Sequence, residues 1–215
     1  MTSSQDAMRA MLIYPLKTHE QFWTRRFYEN PRSFEVWVPQ EAEQRTELSK
    51  CVKRLEIKTI LDVGCGLALD YEQYVEDGLS VQYHGIDVTL PFTEEVNRKY
   101  PCLDVRFGNV EAIPYDDGSF DAVTCRALLE HLSGLEIAFR EMARVSSQYV
   151  IVTWFIPPRE RVNRIEIAYR GSGLQFFKNF YSLDYVNANL REAGLNLLSK
   201  VGVGRYEIWV LEKKT

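Results

Sequence analysis

From Thr59 onward, short apolar runs alternate with longer amphipathic ones. Ile60–Val63 reads as a first strand, Leu67–Glu76 as a helix ended by Gly78, and Val81–Ile86 as a second strand closing on Asp87. Phe92–Lys99 reads as a helix stopped by Pro101, Leu103–Phe107 as a third strand, and Phe120–Cys125 as a fourth, entered through the turn Asp116-Asp117-Gly118-Ser119. Leu135–Val145 is an amphipathic helix. Tyr149–Phe155 (YVIVTWF) is the most apolar strand, which suits a central place in a sheet. Ser182–Ala193 reads as a helix ending at Gly194, and Leu195–Val201 with Arg205–Leu211 as a hairpin around Gly202-Val203-Gly204. Strands that alternate with helices imply parallel β-α-β units. The predicted class is α/β: a doubly wound seven-stranded sheet, mostly parallel, with an antiparallel C-terminal hairpin strand and helices on both faces.

The flanking segments have a different pattern. Thr18-His19-Glu20-Gln21 reads as the capped start of a helix whose apolar side is Phe22, Trp23 and Phe27, stopped by Asn30-Pro31. Phe34–Val38 alternates briefly before Pro39, and Glu41–Leu55 reads as a helix with Leu48, Val52 and Leu55 inward. Pro157-Pro158 breaks the strand pattern, and Arg159–Tyr181 is rich in Arg and aromatic residues without a clear element. A single domain over 1–215 is expected: 1–55 a helical cap, 56–155 the core, 156–181 an insertion, and 182–215 a closing helix and hairpin.

Composition narrows the class. A chain of 215 residues, 46% hydrophobic, suffices for one domain with a sizeable core. A net charge of -4 offers no general basic field to a polynucleotide. Cys51, Cys65, Cys102 and Cys125 are scattered without a C-x-x-C pair, which suits a reducing compartment and argues against a disulfide framework or zinc site. No uninterrupted apolar run is long enough to span a bilayer, and the first residues lack the apolar stretch of a targeting signal. The expectation is a cytoplasmic monomer or homodimer with no nucleic-acid or membrane partner.

Candidate chemistry gathers at Thr59–Asp70, TILDVGCGLALD. A strand, a turn with Gly64 and Gly66, and a helix start allow backbone N–H groups to approach a ligand closely. In such sheets ligands bind outside the C-terminal strand ends, where Asp62, Asp87, Asn109, Cys125 and Arg126 fall. Asp87 is placed to accept hydrogen bonds from a ribose diol, and the Asn109 amide can both donate and accept toward a base edge.

These stretches resemble the class I S-adenosylmethionine-dependent methyltransferases of the small single-domain, type 11-like kind. LDVGCGLALD is similar to that family's acidic-x-Gly-x-Gly motif, and HGIDVT to its second motif. GNVEAIPYDDGSFDAVTC resembles the segment leading into the fourth strand, and ALLEHL the stretch after it. The resemblance covers Leu55–Val150 and implies a Rossmann-like sheet with S-adenosyl-L-methionine as cofactor. It implies that Gly64, Cys65 and Gly66 let the backbone approach the methionine part, and that Asp62 helps hold its ammonium. Asp87, followed by Val88, takes the ribose hydroxyls. Asn109 meets the adenine amino group, the Val110 N–H a ring nitrogen, and Cys125 and Arg126 flank the methionine. Two positions depart from the family: Ala68 replaces the usual third glycine, and Asn109 replaces an Asp, so its oxygen accepts without charge.

Methyl transfer to an oxygen or nitrogen of a small molecule is the implied reaction, with His131 as the candidate base. Ala127 stands where metal-using relatives have Glu, and Glu130 with His131 alone makes a poor metal site, so no metal is expected. Candidates for the acceptor pocket are Tyr14, Trp23, Arg25, Tyr28, Trp154, Arg164, Tyr169 and Arg170. The arginine density of the cap and insertion points to an acidic acceptor. A protein, lipid or nucleic-acid acceptor, or a non-catalytic cofactor-binding subunit, are the competing readings.

Overall fold

The computed structural model describes residues 20–29, 34, 41–170 and 174–214. Its sheet is built from β1 (Thr59–Val63), β2 (Gln82–Asp87), β3 (Asp104–Phe107), β4 (Phe120–Arg126), β5 (Ser146–Trp154), β8 (Leu195–Val203) and β9 (Tyr206–Lys213). The strand order is β3-β2-β1-β4-β5-β9-β8. The first five strands are parallel, β9 is antiparallel to β5, and β8 is antiparallel to β9. The order reverses between β1 and β4, which creates a crevice at the C-terminal strand ends. Asp121 fixes the opposite end: its carboxylate accepts from Lys58 N and Thr59 N, both at 2.9 Å, and joins the start of β1 to that of β4.

The helices are α1 (residues 20–29), α2 (Ala42–Arg54), α3 (Leu69–Glu76), α4 (Leu90–Lys99), α5 (Glu136–Val145) and α6 (Leu183–Glu192). Successive strand residues point to opposite faces, so each strand feeds two apolar layers. Ile60, Ala122, Ile151 and Val210 pack with Leu48, Val52, Tyr74 and Val96 of α2, α3 and α4. Leu61, Val123, Val150 and Trp209 pack with Phe139, Met142, Val186 and Leu190 of α5 and α6. This is the doubly wound arrangement that the alternation predicts. Among the described residues no helix is long and apolar enough to cross a membrane.

Several boundaries differ from the expected ones, each for a local reason. α3 starts at Leu69 rather than Leu67, because Ala68 takes a left-handed conformation with φ 57°. β5 starts at Ser146, directly after α5, because Ser146 pairs with Phe120 of β4. Phe155 leaves the sheet because its N–H donates to the Glu130 carboxylate instead of a strand. Arg159–Tyr181, read without an element, contains an antiparallel ribbon of β6 (Arg164–Arg170) and β7 (Leu174–Phe180). Beyond Phe34, the Phe34–Val38 alternation lies outside the described residues.

Gly85 is where the sheet meets the loop after β1. A Cβ built there would lie 2.8 Å from Cys65 Sγ and 3.2 Å from Val105 Cγ2. Gly85→Ala is expected to destabilise the fold by about 1–3 kcal/mol and lower Tm by several degrees. A thermal melt that does not move would show that Cys65 yields without cost.

Candidate active site

Four parallel strands end at one level: Val63 is in register with both Ile86 and Cys125, and Asp87 with Phe107. The loop after β1 is tied down across the end of β2. Gly64 N donates to the Ile86 carbonyl at 2.8 Å, Cys65 N to the same oxygen at 3.1 Å, and Gly66 N to Asp87 Oδ2 at 2.9 Å. This path needs left-handed backbone at Gly64 (φ 73°) and Gly66 (φ 52°), which glycine adopts without steric cost. A Cβ at Gly64 would also press on Leu128 Cδ2 at 3.1 Å, whereas a Cβ at Gly66 would meet nothing within 4 Å. The loop is therefore packed on one side and open above Gly66.

Asp87 is buried, and its other oxygen accepts from Thr89 N at 2.8 Å. Burial raises its pKa from the ordinary carboxylate range, while the Thr89 and Gly66 N–H groups oppose the shift. Val88 beside it is half-buried. On the next strand end, Asn109 Oδ1 accepts from Glu111 N at 3.0 Å and closes a turn, with Val110 buried inside it. α5 holds that loop from behind: Arg144 donates to the Ile113 and Tyr115 carbonyls, and Glu141 accepts from Ile113 N.

A buried charge cluster underlies the glycine loop. Asp62 accepts from Tyr83 OH at 2.7 Å and Thr124 OH at 3.3 Å, so the structure places its carboxylate between strands, not on the crevice surface. Burial first, and the nearby Asp70 charge second, push its pKa up to about 7. Arg126, at the end of β4, donates Nε to both oxygens of Asp70 at 2.9 and 3.0 Å and Nη1 to Glu41. Burial opposes the guanidinium charge, but Asp70 and Glu41 outweigh it and raise the pKa above its ordinary value. Arg45 of α2 is buried beside them. Cys65 and Cys125 are buried thiols whose pKa values rise through desolvation.

The candidate acceptor residues separate. Trp23 packs edge-on to His131, ring centroids 6.0 Å apart, and His131 Nδ1 donates to the Phe177 carbonyl at 2.6 Å. Trp154 is fully buried against Trp209 and Tyr181, and the structure does not bring it to the crevice. Tyr28 is 68% exposed on α1, and Arg25 pairs with Glu29 on the same helix. Arg164 lies over the Phe180 ring and pairs with Glu160 and Glu166. Tyr14 lies outside the described residues, as do the side chains of Tyr169 and Arg170, whose backbone is in β6. Among the described residues no group of three His, Cys, Asp or Glu side chains is placed to hold a metal ion.

Comparison with known proteins agrees with this architecture. A family model described as a methyltransferase domain matches residues 61–150. The uncharacterized methyltransferase YcgJ of Bacillus subtilis is 32% identical over 124 residues, covering 52% of this chain and 47% of that protein. A demethylmenaquinone methyltransferase of Roseiflexus castenholzii is 37% identical over 91 residues, covering 40% of this chain and 37% of that protein. Among solved structures, a Burkholderia thailandensis 1,6-didemethyltoxoflavin-N1-methyltransferase with bound 1,6-didemethyltoxoflavin and S-adenosylhomocysteine superposes with a TM-score of 0.73 at 13% identity, over 93% of this chain and 88% of that one. Over residues 61–150 the chain is similar to methyltransferase domains, and its sheet has the fold of the S-adenosylmethionine-dependent methyltransferases. The chain spans less than half the length of the two relatives it matches in sequence, and at 13% identity the structural likeness is one of fold.

Glu41, Arg45, Asp70, Tyr83 and Leu128 were missed by sequence reasoning. Only Asp70 carried a local signal, as an acid in the first turn of a helix. Asp62 gives a test of the cluster. Its folded pKa lies above the unfolded value of about 4, so the stability it contributes is complete below that value and lost as pH rises through about 7. Between pH 5 and pH 8, wild type is expected to lose at least about 1 kcal/mol more stability than Asp62→Asn, measured by urea unfolding at each pH. Parallel pH dependences would rule out a raised Asp62.

Proposed function

We propose that this chain binds S-adenosyl-L-methionine at the C-terminal ends of β1 to β4 and transfers its methyl group to an oxygen or nitrogen of a small molecule. The observation that carries the reading is the glycine loop hydrogen-bonded to the Asp87 carboxylate with open space above Gly66. When bound, the cofactor supplies a methyl group on a sulfonium, already activated for in-line displacement, so alignment and exclusion of water lower much of the barrier. Gly64, Cys65 and Gly66 lay backbone against its methionine part. Asp87 and Val88 meet the ribose, Asn109 and the Val110 N–H the adenine, and Cys125 flanks the methionine. Asp62 and Arg126 act from beneath, as the floor on which the loop rests, since their own hydrogen bonds go to Tyr83, Thr124, Asp70 and Glu41.

The small-molecule reading is supported by the relatives named for demethylmenaquinone and 1,6-didemethyltoxoflavin and by the net charge of -4. The acidic-acceptor reading draws little from the arginines, because Arg25, Arg159 and Arg164 each face a carboxylate of their own chain. All four thiols are free and three are buried, which supports the reading of a reducing, cytoplasmic setting.

Calorimetric titration with S-adenosylmethionine and S-adenosylhomocysteine tests the cofactor site. Wild type is expected to bind both in the micromolar range, and Asp87→Ala to lose about tenfold or more, at least ~1.4 kcal/mol. A screen with labelled methyl donor against small hydroxy- and amino-compounds then seeks the acceptor, and EDTA is expected to leave turnover unchanged. Absence of binding by wild type would overturn the proposal. Binding without transfer to any small molecule would favour a macromolecular acceptor or a non-catalytic subunit.

A further inference from the structure

Four consecutive residues of the turn after β4 hold the ribbon and the chain that leads into and out of it. The Leu129 carbonyl accepts from Tyr181 OH at 3.1 Å. Glu130 Oε1 accepts from Phe155 N at 2.8 Å and Ile156 N at 3.1 Å, the two residues at which the chain leaves the sheet. His131 Nδ1 donates to the Phe177 carbonyl of β7. The Leu132 carbonyl accepts from Asn179 Nδ2 and from Tyr181 OH. The 156–181 segment is thereby held at its root by Glu130, along β7 by His131, and at its exit by the two carbonyls.

Glu130 is fully buried, and no cation pairs with it among the described residues; its bonds are to backbone N–H groups. A buried carboxylate placed in this way costs stability unless those bonds are made, and burial pushes its pKa up to about 7. His131 lies among three rings from three elements: Trp23 of α1 at 6.0 Å, Phe155 after β5 at 5.3 Å and Phe176 of β7 at 5.7 Å between centroids. Phe176 also packs on Phe22 of α1 at 4.8 Å. Cap helix, ribbon and sheet therefore meet on one imidazole. A carbonyl only accepts, so the Phe177 contact puts the ring proton on Nδ1.

We propose that Glu130 and His131 are positioning residues: the turn is a clamp that seats the β6–β7 ribbon and α1 over the strand ends where the methyl acceptor enters. On this account His131 acts through the Phe177 backbone and the ring cluster. The inference rests on the proposed methyl transfer for the place of the acceptor, but its tests read the clamp directly. Failure to bind S-adenosylhomocysteine would overturn that reading and leave the clamp measurements standing.

The first test needs no variant. Long-range proton–nitrogen spectra of uniformly labelled protein resolve its three histidines, His19, His84 and His131, and His131 is expected in the Nδ1–H form. An Nε2–H form would overturn the proposal. The second is hydrogen exchange. Glu130→Ala and His131→Phe are expected to speed exchange of peptides covering 155–181 about tenfold while leaving peptides of β1 and β4 within about twofold. Glu130→Gln and His131→Asn, whose amides still accept and donate at those places, are expected to restore protection. S-adenosylhomocysteine affinity is expected to stay within about threefold of wild type in all four, because the glycine loop makes none of these contacts. Unchanged ribbon exchange in His131→Phe, uniform acceleration across the sheet, or no rescue by the amide variants would each overturn the clamp.

Discussion

The backbone of residues 64–66 must cross the end of β2 with its N–H groups satisfied, and much of the site follows from that requirement. Two of the three donors close on the Ile86 carbonyl and the third on Asp87. The turn this demands is left-handed at both glycines, and Ala68 continues it at φ 57°. Once the loop takes this path, Cys65 fills the space beside Gly85, Leu128 fills the space beside Gly64, and Asp87 is held between the loop and the start of α4. The open side above Gly66 is where a ligand can reach backbone.

Charge is arranged around the same loop by burial. Asp62 and Asp87 both sit where solvation is poor, which favours their neutral forms. Arg126 instead pairs with Asp70 and also reaches Glu41 just ahead of α2. A pair of this kind contributes little net stability, yet losing one partner strands the other. It thus fixes where the cap's second helix enters relative to β4.

The methyltransferase family model matches residues 61–150, which begin after α2 and end before the ribbon. That part supplies the loop, the two strand-end polar residues and most of the parallel strands, while β8 and β9 lie beyond it. The parts that meet around His131, α1 and the ribbon, lie outside it. On the proposed reading the strand ends take the cofactor, which leaves such peripheral segments for the acceptor.

The alternation of apolar runs and amphipathic stretches determined the sheet, its parallel core and its antiparallel end, because period 2 and period 3.6 patterns are local properties of the chain. The glycine loop, Asp87 and Asn109 were legible for the same reason: each closes an apolar run. The ribbon was overlooked although RIEIAYR alternates, since arginines and aromatic rings obscured the period. Only the tertiary structure decided that Trp154 belongs to the core, that Asp62 faces Tyr83 and Thr124, that Arg126 is claimed by Asp70 and Glu41, that Glu130 binds the Phe155 backbone and that His131 binds the ribbon. Those contacts join residues 21 to 85 positions apart. Which side chain lies opposite which depends on how strands register and helices pack, and no window of sequence contains that information.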